Sequence, residues 1–348
     1  MESALITVPP SSSARARASA DLPLAVGPAI RTARRPPPVS APSAMPRSCM
    51  SAPVASDPLV ATFIARPEQG AALATLVAEA SRLPGAGAPD WLAEGEAADI
   101  LFAPEPGLAA RLEAIAGERL VDIVVQPAAA RRKRLVVADM DSTMIGQECI
   151  DELADMVGLK THVAAITERA MRGEIEFEPA LRERVALLKG LPLSVIDEVL
   201  ATRIRLTPGG PELIRTMRAH GGYAALVSGG FTLFTGPVAA MIGFDENRAN
   251  RLVAEDGVLT GRVEEPILGQ EAKLSALMEL ARRLKLERHE TLAIGDGAND
   301  LAMIRAAGLG VAYHAKPKVA AEADARIRHG DLSALLFAQG YRRSEFAT

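Results

Sequence analysis

Aromatic side chains are scarce in this chain, only 3% of 348 residues. Base-stacking platforms for single-stranded nucleic acid depend on them, so that class is disfavoured. Basic charge is not in excess either: the net charge is -4 at pH 7, and a nucleic-acid footprint would be positive. Cysteine is limited to Cys49 and Cys149. Two isolated thiols make no disulfide framework and fit a reducing compartment, the cytoplasm. The five histidines (His162, His220, His289, His314, His329) lack a metal-ligand spacing such as HExxH, which argues against zinc. No apolar run approaches the ~18 residues of a membrane-spanning helix, so no membrane partner is expected. What remains is a soluble globular chain, 49% hydrophobic and 24% charged, long enough for two or three domains.

Residues 1–55 have a different texture. Arg, Ser, Ala and Pro dominate SSSARARASA and RTARRPPPVSAPSAMPRS, and Glu2 and Asp21 are the only acids before Asp57. Such a segment buries too little apolar surface to fold, so a disordered extension is expected. An acid-poor, Arg/Ser-rich start also resembles an organelle transit peptide, and Met45 or Met50 offers an alternative start. Over 56–130 the pattern turns globular. LVATFIA, ADILFAP and LVDIVVQP read as strands, and GAALATLVAEASRL and GLAARLEAIAG as helices, the second closed by Gly117. This predicts a small α+β domain without catalytic side chains. Trp91 is expected in its core or at a domain contact. ARRKR, at 130–134, reads as a solvated hinge rather than a nucleic-acid patch.

From Leu135 onward short apolar strands alternate with helices: LVVAD, GYAALVSGG, ETLAIGDG and GLGVAY. That alternation predicts an α/β fold with a parallel sheet and helices on both faces. Between the first two strands, Gly146 to Arg205 reads as helical throughout. Glycines at its two ends, Gly146 and Gly209-Gly210, stand where hinges would be.

In open parallel sheets, ligands collect at the carboxyl ends of the strands. Asp139 and Asp141 follow LVVA directly. Residues i and i+2 of an extended chain point the same way, ~6–7 Å apart, so two carboxylates can flank one reacting atom. One can attack while the other handles the leaving group's proton. Alone, DMDST reads equally well as a turn or helix cap. It has company, however. VSGG ends the next strand at Ser228, Gly229 and Gly230, where a hydroxyl and backbone N–H groups can hold phosphate oxygens. GDGAND ends a third with Asp296, Asn299 and Asp300, hard oxygen ligands suited to Mg²⁺. Lys273, early in a helix, supplies the cation that four acids and a phosphate dianion require.

These four signals, DxDST, hydrophobic-SGG, Lys and GDGxND, resemble the haloacid dehalogenase (HAD) superfamily of phosphotransferases. DMDSTMIGQECIDELAD and RGEIEFEPALRERVALLKG are similar to the signatures of its phosphoserine phosphatases, whose cap is small and helical. The resemblance is close from Arg134 to about Leu336. Over 58–130 it is looser, to the ACT-like N-terminal extension of some bacterial members. It implies a HAD-type Rossmann-like core at 131–145 and 206–348, a helical cap at 146–205 and an ACT-like domain at 56–130.

The resemblance also implies roles. Asp139 is the nucleophile that forms an aspartyl-phosphate, and Asp141 the general acid and then base. Mg²⁺ lies between Asp139, the Asp141 carbonyl and Asp296. Ser228, Gly229, Gly230 and Lys273 hold the phosphate, and Asn299 and Asp300 orient Lys273, phosphate or metal-bound water. Glu148 takes the substrate ammonium and Arg184 its carboxylate. On its helix, Arg184 falls among Leu181, Val185 and Leu188, an inward position that wants an anionic partner. Met171 and Phe177 close over the substrate, although plain core packing explains them as well. Cys149 reads as a small core residue. The substrate implied is O-phospho-L-serine, at the last step of serine biosynthesis. Alternatives are another small phosphomonoester such as phosphohomoserine, or an amino-acid-sensing regulator, which would have a decayed site. A homodimer is compatible with the pattern.

Overall fold

The computed structural model describes residues 57–129, 131–171 and 174–347; the expected extension at 1–55 lies outside them. In chain order the elements begin with β1 (Leu59–Ala65), α1 (Gly70–Ala80), β2 (Asp90–Ala93), β3 (Ala97–Phe102), α2 (Leu108–Ala116) and β4 (Val121–Pro127). The four strands pair antiparallel in the order β2-β3-β1-β4, a split βαβ plait. Alternation decides what each face meets. Ala61, Phe63 and Ile100 pack under the helices with Leu73, Leu76 and Leu112. Ile64, Ala97 and Val124 point the other way and join the larger core. Trp91 packs half-buried on the smaller cluster, and its carbonyl accepts from Arg342 Nη1 at 2.7 Å.

The basic run is not a solvated hinge. Arg131 pairs with Asp99 at 2.6 Å, Arg132 with Glu345 at 2.7 Å and Arg134 with Glu290 at 3.1 Å. Lys133 is 6% exposed, and its Nζ donates to the His289 carbonyl at 2.9 Å. Each cation finds an oxygen on the body of the protein, which the charge pattern alone does not reveal. Asp122 on β4 does the same with opposite sign. Its buried carboxylate accepts the backbone N–H of Arg328 at 2.8 Å and of Gly330 at 2.7 Å, with His329 at 3.2 Å.

The second part continues with β5 (Leu135–Ala138), α3 (Cys149–Met156), α4 (Lys160–Met171), α5 (Phe177–Ala186), α6 (Ser194–Thr202), α7 (Gly210–Ala219), β6 (Tyr223–Phe231) and α8 (Thr232–Ile242). Then come β7 (Glu246–Asn250), β8 (Leu252–Glu255), β9 (Val258–Val263), α9 (Gln270–Arg283), β10 (Thr291–Gly295) and α10 (Leu301–Ala306). The chain closes with β11 (Leu309–Tyr313), α11 (Pro317–Ala320), β12 (Ala325–Ile327) and α12 (Ala334–Ala338). Six strands form a parallel sheet ordered β12-β11-β10-β5-β6-β7. Leu135 and Val137 face α9 and α10, whereas Val136 and Ala138 face the cluster built by α7, α8 and α12. Both faces are thus covered, which is why these strands read as continuous apolar runs. The expected α/β architecture is what the structure shows.

The chain leaves β5 toward β6 on one side and returns to β10 on the other, so the order reverses beside β5. A crevice forms at such a point. Helices α3–α6 stand above it. Their two connections to the sheet run side by side: Ile145 bridges Leu206, and Gly146 N donates to the Arg205 carbonyl at 3.1 Å. The β8–β9 hairpin leans on the same helices, with Gly190 N donating to the Leu259 carbonyl at 2.8 Å.

Candidate active site

Asp139 and Asp141 leave the end of β5 in a tight turn. The amides of Thr143, Met144 and Ile145 all donate to the Met140 carbonyl, and Ser142 takes a left-handed φ of 55°. The turn aims both carboxylates at a cavity of about 560 Å³ between the sheet and the helices above. Glu148, Arg184, Phe177, Ser228, Gly229, Gly230, Asp296 and Asn299 line the same cavity. The structure therefore brings together residues that are up to 160 positions apart in sequence, Asp139 and Asn299. The side chain of Met171 lies outside the described part, and no placement is given to it.

Lys273 lies beneath the cavity floor, buried in the first turn of α9. Its Nζ stands 2.5 Å from Asp139 Oδ2 and 2.6 Å from Asp300 Oδ1. Burial alone would lower the lysine pKa, but Asp139 and Asp300 outweigh it and hold the ammonium above its ordinary value. Asp300 Oδ2 accepts the amides of Asp296 at 3.1 Å and Gly297 at 3.0 Å. This close fold needs a glycine at 295, because a Cβ there would lie 2.3 Å from the Asp300 carboxyl carbon. Burial raises the Asp139 carboxyl, with the Lys273 charge opposing.

Burial also raises Asp141, while the Cys149 contact lowers it; Asp141 Oδ1 accepts from Cys149 N at 3.2 Å. A carboxyl so raised is suited to carry and deliver a proton. Gly230 leaves the space that Asp141 needs, since a Cβ there would stand 2.9 Å from Asp141 Oδ2. Ser228 Oγ accepts from Gly230 N at 2.9 Å, which keeps the hydroxyl proton free to donate toward the cavity. Burial pushes Glu148 up to about 7, helped by the Asp141 charge and opposed by the Ser142 hydroxyl. Cys149 is buried, and burial raises its thiol well above the ordinary value, in keeping with a packing role.

Arg184 sits on α5 with Nε 3.3 Å from the Ala180 carbonyl and Nη1 3.4 Å from Thr167 Oγ1. Burial lowers its pKa, and the charges of Asp151 and Glu148 oppose that. The guanidinium thus borders the cavity with donors to spare. Phe177, though 39% exposed, lies over the floor: a Cβ on Gly229 would stand 3.4 Å from its Cζ.

Asp139, Asp296 and Asp300 each offer an oxygen, and these oxygens lie within 4.8 Å of one another. A set of three carboxylates can hold a hard metal ion. The Asp300 oxygens are engaged by Lys273 and two amides, whereas Asp139 and Asp296 line the cavity itself. Asp139 Oδ1 takes the Met140 amide at 2.7 Å and Asp296 Oδ1 the Thr143 hydroxyl at 3.1 Å, and each oxygen keeps a lone pair for an ion. The residues present therefore fit a divalent cation.

Some contributors escaped the sequence reading. Thr143 Oγ1 donates to Asp296 Oδ1 at 3.1 Å, and Ser142 Oγ donates to Glu148 Oε1 at 2.7 Å. Both hydroxyls stand inside DMDST, so their presence was legible and only their partners were not. Asp151, Thr167 and Lys316 also border the cavity, and no sequence signal marks them.

Comparison with known proteins agrees with this geometry. Residues 136–305 match the family model described as haloacid dehalogenase-like hydrolase. The chain is 49% identical over 208 residues to a phosphoserine phosphatase of Polaromonas sp., covering 58% of this chain and 88% of that protein. A HAD family hydrolase of Salmonella enterica serovar Typhi has a similar structure, with TM-score 0.73, 29% identity, and coverage of 81% of this chain and 98% of that one. A probable phosphoserine phosphatase of Vibrio cholerae matches with TM-score 0.65 and 36% identity, over 82% and 88% of the two chains. At this identity and coverage, the chain belongs to the haloacid dehalogenase-like hydrolases, in the phosphoserine phosphatase family.

Proposed function

We propose that this chain is a Mg²⁺-dependent phosphatase that hydrolyses O-phospho-L-serine to L-serine and phosphate, the last step of serine biosynthesis. The observation that carries the reading is the cavity shared by Asp139, Asp141, Glu148 and Arg184. The first pair suits phosphoryl transfer. The second suits an ammonium and a carboxylate, the two groups that distinguish phosphoserine from phosphate.

Asp139 attacks phosphorus as the bond to the serine oxygen breaks, and Asp141 gives its proton to that oxygen. The products of this half are serine and an aspartyl-phosphate. Asp141, now ionised, takes a proton from water as the water oxygen attacks phosphorus and the bond to Asp139 breaks. That releases phosphate and restores both carboxyls. Phosphoryl transfer depends chiefly on positioning and charge neutralisation. Ser228, Gly229, Gly230 and Lys273 serve that end around the phosphate oxygens, with Asn299 at the rim and Asp300 fixing Lys273. Mg²⁺, held by Asp139, Asp296 and the Asp141 carbonyl, would neutralise phosphate charge when bound. Glu148 and Arg184 orient the amino-acid end, and Phe177 excludes water above it.

The same proposal includes the boundaries of the parts. The plait at 56–130 is an ACT-like domain, 146–205 is the cap, and 131–145 with 206–348 form the catalytic core. A cytoplasmic location and a homodimer belong to it as well. Among the described residues no helix is long and apolar enough to cross a membrane.

The test is phosphate release from L-phosphoserine with and without Mg²⁺, beside Asp139→Asn. Phosphohomoserine and p-nitrophenyl phosphate are run in parallel. A Mg²⁺-dependent preference for phosphoserine, abolished in Asp139→Asn, is expected. Equal or better turnover of phosphohomoserine would move the substrate assignment. Activity on p-nitrophenyl phosphate alone would keep the core chemistry and sink the roles of Glu148 and Arg184.

A further inference from the structure

One buried amide, Asn250, connects two loops of the site without touching the cavity. It ends β7 and is 2% exposed. Its Nδ2 donates to the Gly229 carbonyl at 2.9 Å and to the Leu268 carbonyl at 3.1 Å. Its Oδ1 accepts from Leu268 N at 2.7 Å. Both amide hydrogens and the oxygen are thereby engaged. An Asn facing two carbonyls and one N–H satisfies all three with a single side chain.

The two loops matter for different reasons. Gly229 belongs to the SGG turn at the end of β6. Leu268 and Gly269 lead into α9, whose first turn carries Lys273. Phe177 lies over both loops, 3.4 Å from where a Cβ would stand on Gly229 and 3.6 Å from the same point on Gly269. The spacing between the SGG amides and the Lys273 ammonium is therefore set, at this end, by one side chain.

We propose that Asn250 is a positioning residue for phosphoryl transfer. It holds the Gly229 backbone and the start of α9 at the separation that lets both act on the same phosphate. This rests on the phosphatase reading above. Phosphoryl transfer loses rate steeply when its charge-stabilising groups move by even 1 Å. Losing Asn250 should therefore weaken binding of the transferring group itself, not of the amino-acid end.

The experiment measures orthovanadate affinity by calorimetry in Mg²⁺, for wild type, Asn250→Ala and Asn250→Asp. Orthovanadate carries neither ammonium nor carboxylate. Affinities are compared only for variants that urea unfolding shows to be fully folded at the assay temperature, because a partly unfolded population would itself weaken the apparent affinity. Asn250→Asp preserves size and the acceptor for Leu268 N but removes the paired donors, so it decides the case if the alanine variant does not fold. Asn247→Ala, on the exposed side of the same strand, is the control for weakening β7, since Asn247 only accepts from Thr235 Oγ1.

Affinity at least tenfold weaker in the Asn250 variants, unchanged in Asn247→Ala, is the expected result. kcat/KM should fall by a similar factor on phosphoserine and p-nitrophenyl phosphate alike. Affinity within twofold of wild type in every folded Asn250 variant would overturn the proposal. A wild type that shows no preference for phosphoserine would sink the substrate assignment and leave this comparison standing, because vanadate binding needs no turnover.

Discussion

The Nζ of Lys273 stands 2.5 Å from Oδ2 of Asp139, the carboxylate proposed to attack phosphorus. Both side chains are buried, so each is the other's main electrostatic support. The pair explains how acids crowd one floor: a cation lies under them, and in the proposed mechanism that charge also serves the phosphate. Lys273→Met keeps the unbranched side chain out to the ε position and removes the ammonium with its charge. Turnover is expected to fall at least ~10²–10³-fold, the range for losing one preorganised charge-stabilising donor. The fold should also weaken by about 3–5 kcal/mol, because Asp300 then lacks its buried counter-ion. Steady-state kinetics and urea unfolding check the two parts separately.

Glu148 predicts a pH dependence. Its carboxyl is pushed up to about 7 by burial, so it is neutral below that value and ionised above it. Only the ionised form pairs with an ammonium. The KM for phosphoserine should therefore rise as pH falls below about 7, by up to about tenfold per unit. The KM for p-nitrophenyl phosphate, which has no ammonium, should stay flat over the same range. Glu148→Gln should raise the phosphoserine KM by ~10–100-fold and abolish this pH dependence, in line with loss of a charge-assisted hydrogen bond.

How much of this was legible depended on how each element is buried. β5, β6, β10 and β11 lie inside the sheet and are covered on both faces, so they appear as apolar runs. β7, with the sequence ENRAN, is an edge strand whose side chains answer Thr235, Glu279 and the SGG turn, and it reads as a loop. The β8–β9 hairpin did carry a signal. Asp256-Gly257 takes positive φ at both residues, 49° and 78°, as an Asp-Gly hairpin turn requires. The carboxylates, the SGG turn and Lys273 were readable because local pattern places them on strand ends and a helix start. Asn250 and Lys133 were not, because their partners lie in segments that only the folded chain brings near.

The glycines between sheet and helices separate into two kinds. Gly146 has open space where a Cβ would go, whereas a Cβ on Gly209 would stand 2.2 Å from Ser333 N and 2.6 Å from Asp331 Oδ1. Gly209 also holds a φ of 77°. Gly209→Ala should thus lower Tm by several degrees through steric conflict and backbone strain, with loss of activity following the loss of fold. Gly146→Ala should leave Tm nearly unchanged. If 146 is a hinge, turnover alone falls in that variant; equal kcat would assign the motion to other residues.

Asp122 provides the last test, at the contact between the plait and the larger sheet. Its carboxylate is fully buried and accepts backbone N–H groups from Arg328, His329 and Gly330, on the loop between β12 and α12. The same loop includes Asp331 and Ser333, against which Gly209 packs at the return from the helices above. Asp122→Ala leaves three amides without their acceptor, and each buried unsatisfied group costs about 1–3 kcal/mol. Water entering the gap would satisfy part of that need, so about 3–5 kcal/mol is expected in urea unfolding. The effect on activity separates two roles. If the plait only stabilises the core, kcat at 25 °C stays within about twofold of wild type in the folded variant. If the 328–333 loop also sets the return path of the helical insert, kcat falls in the folded variant while orthovanadate affinity is retained, since the phosphate floor is anchored elsewhere, by Lys273, Asp300 and Asn250.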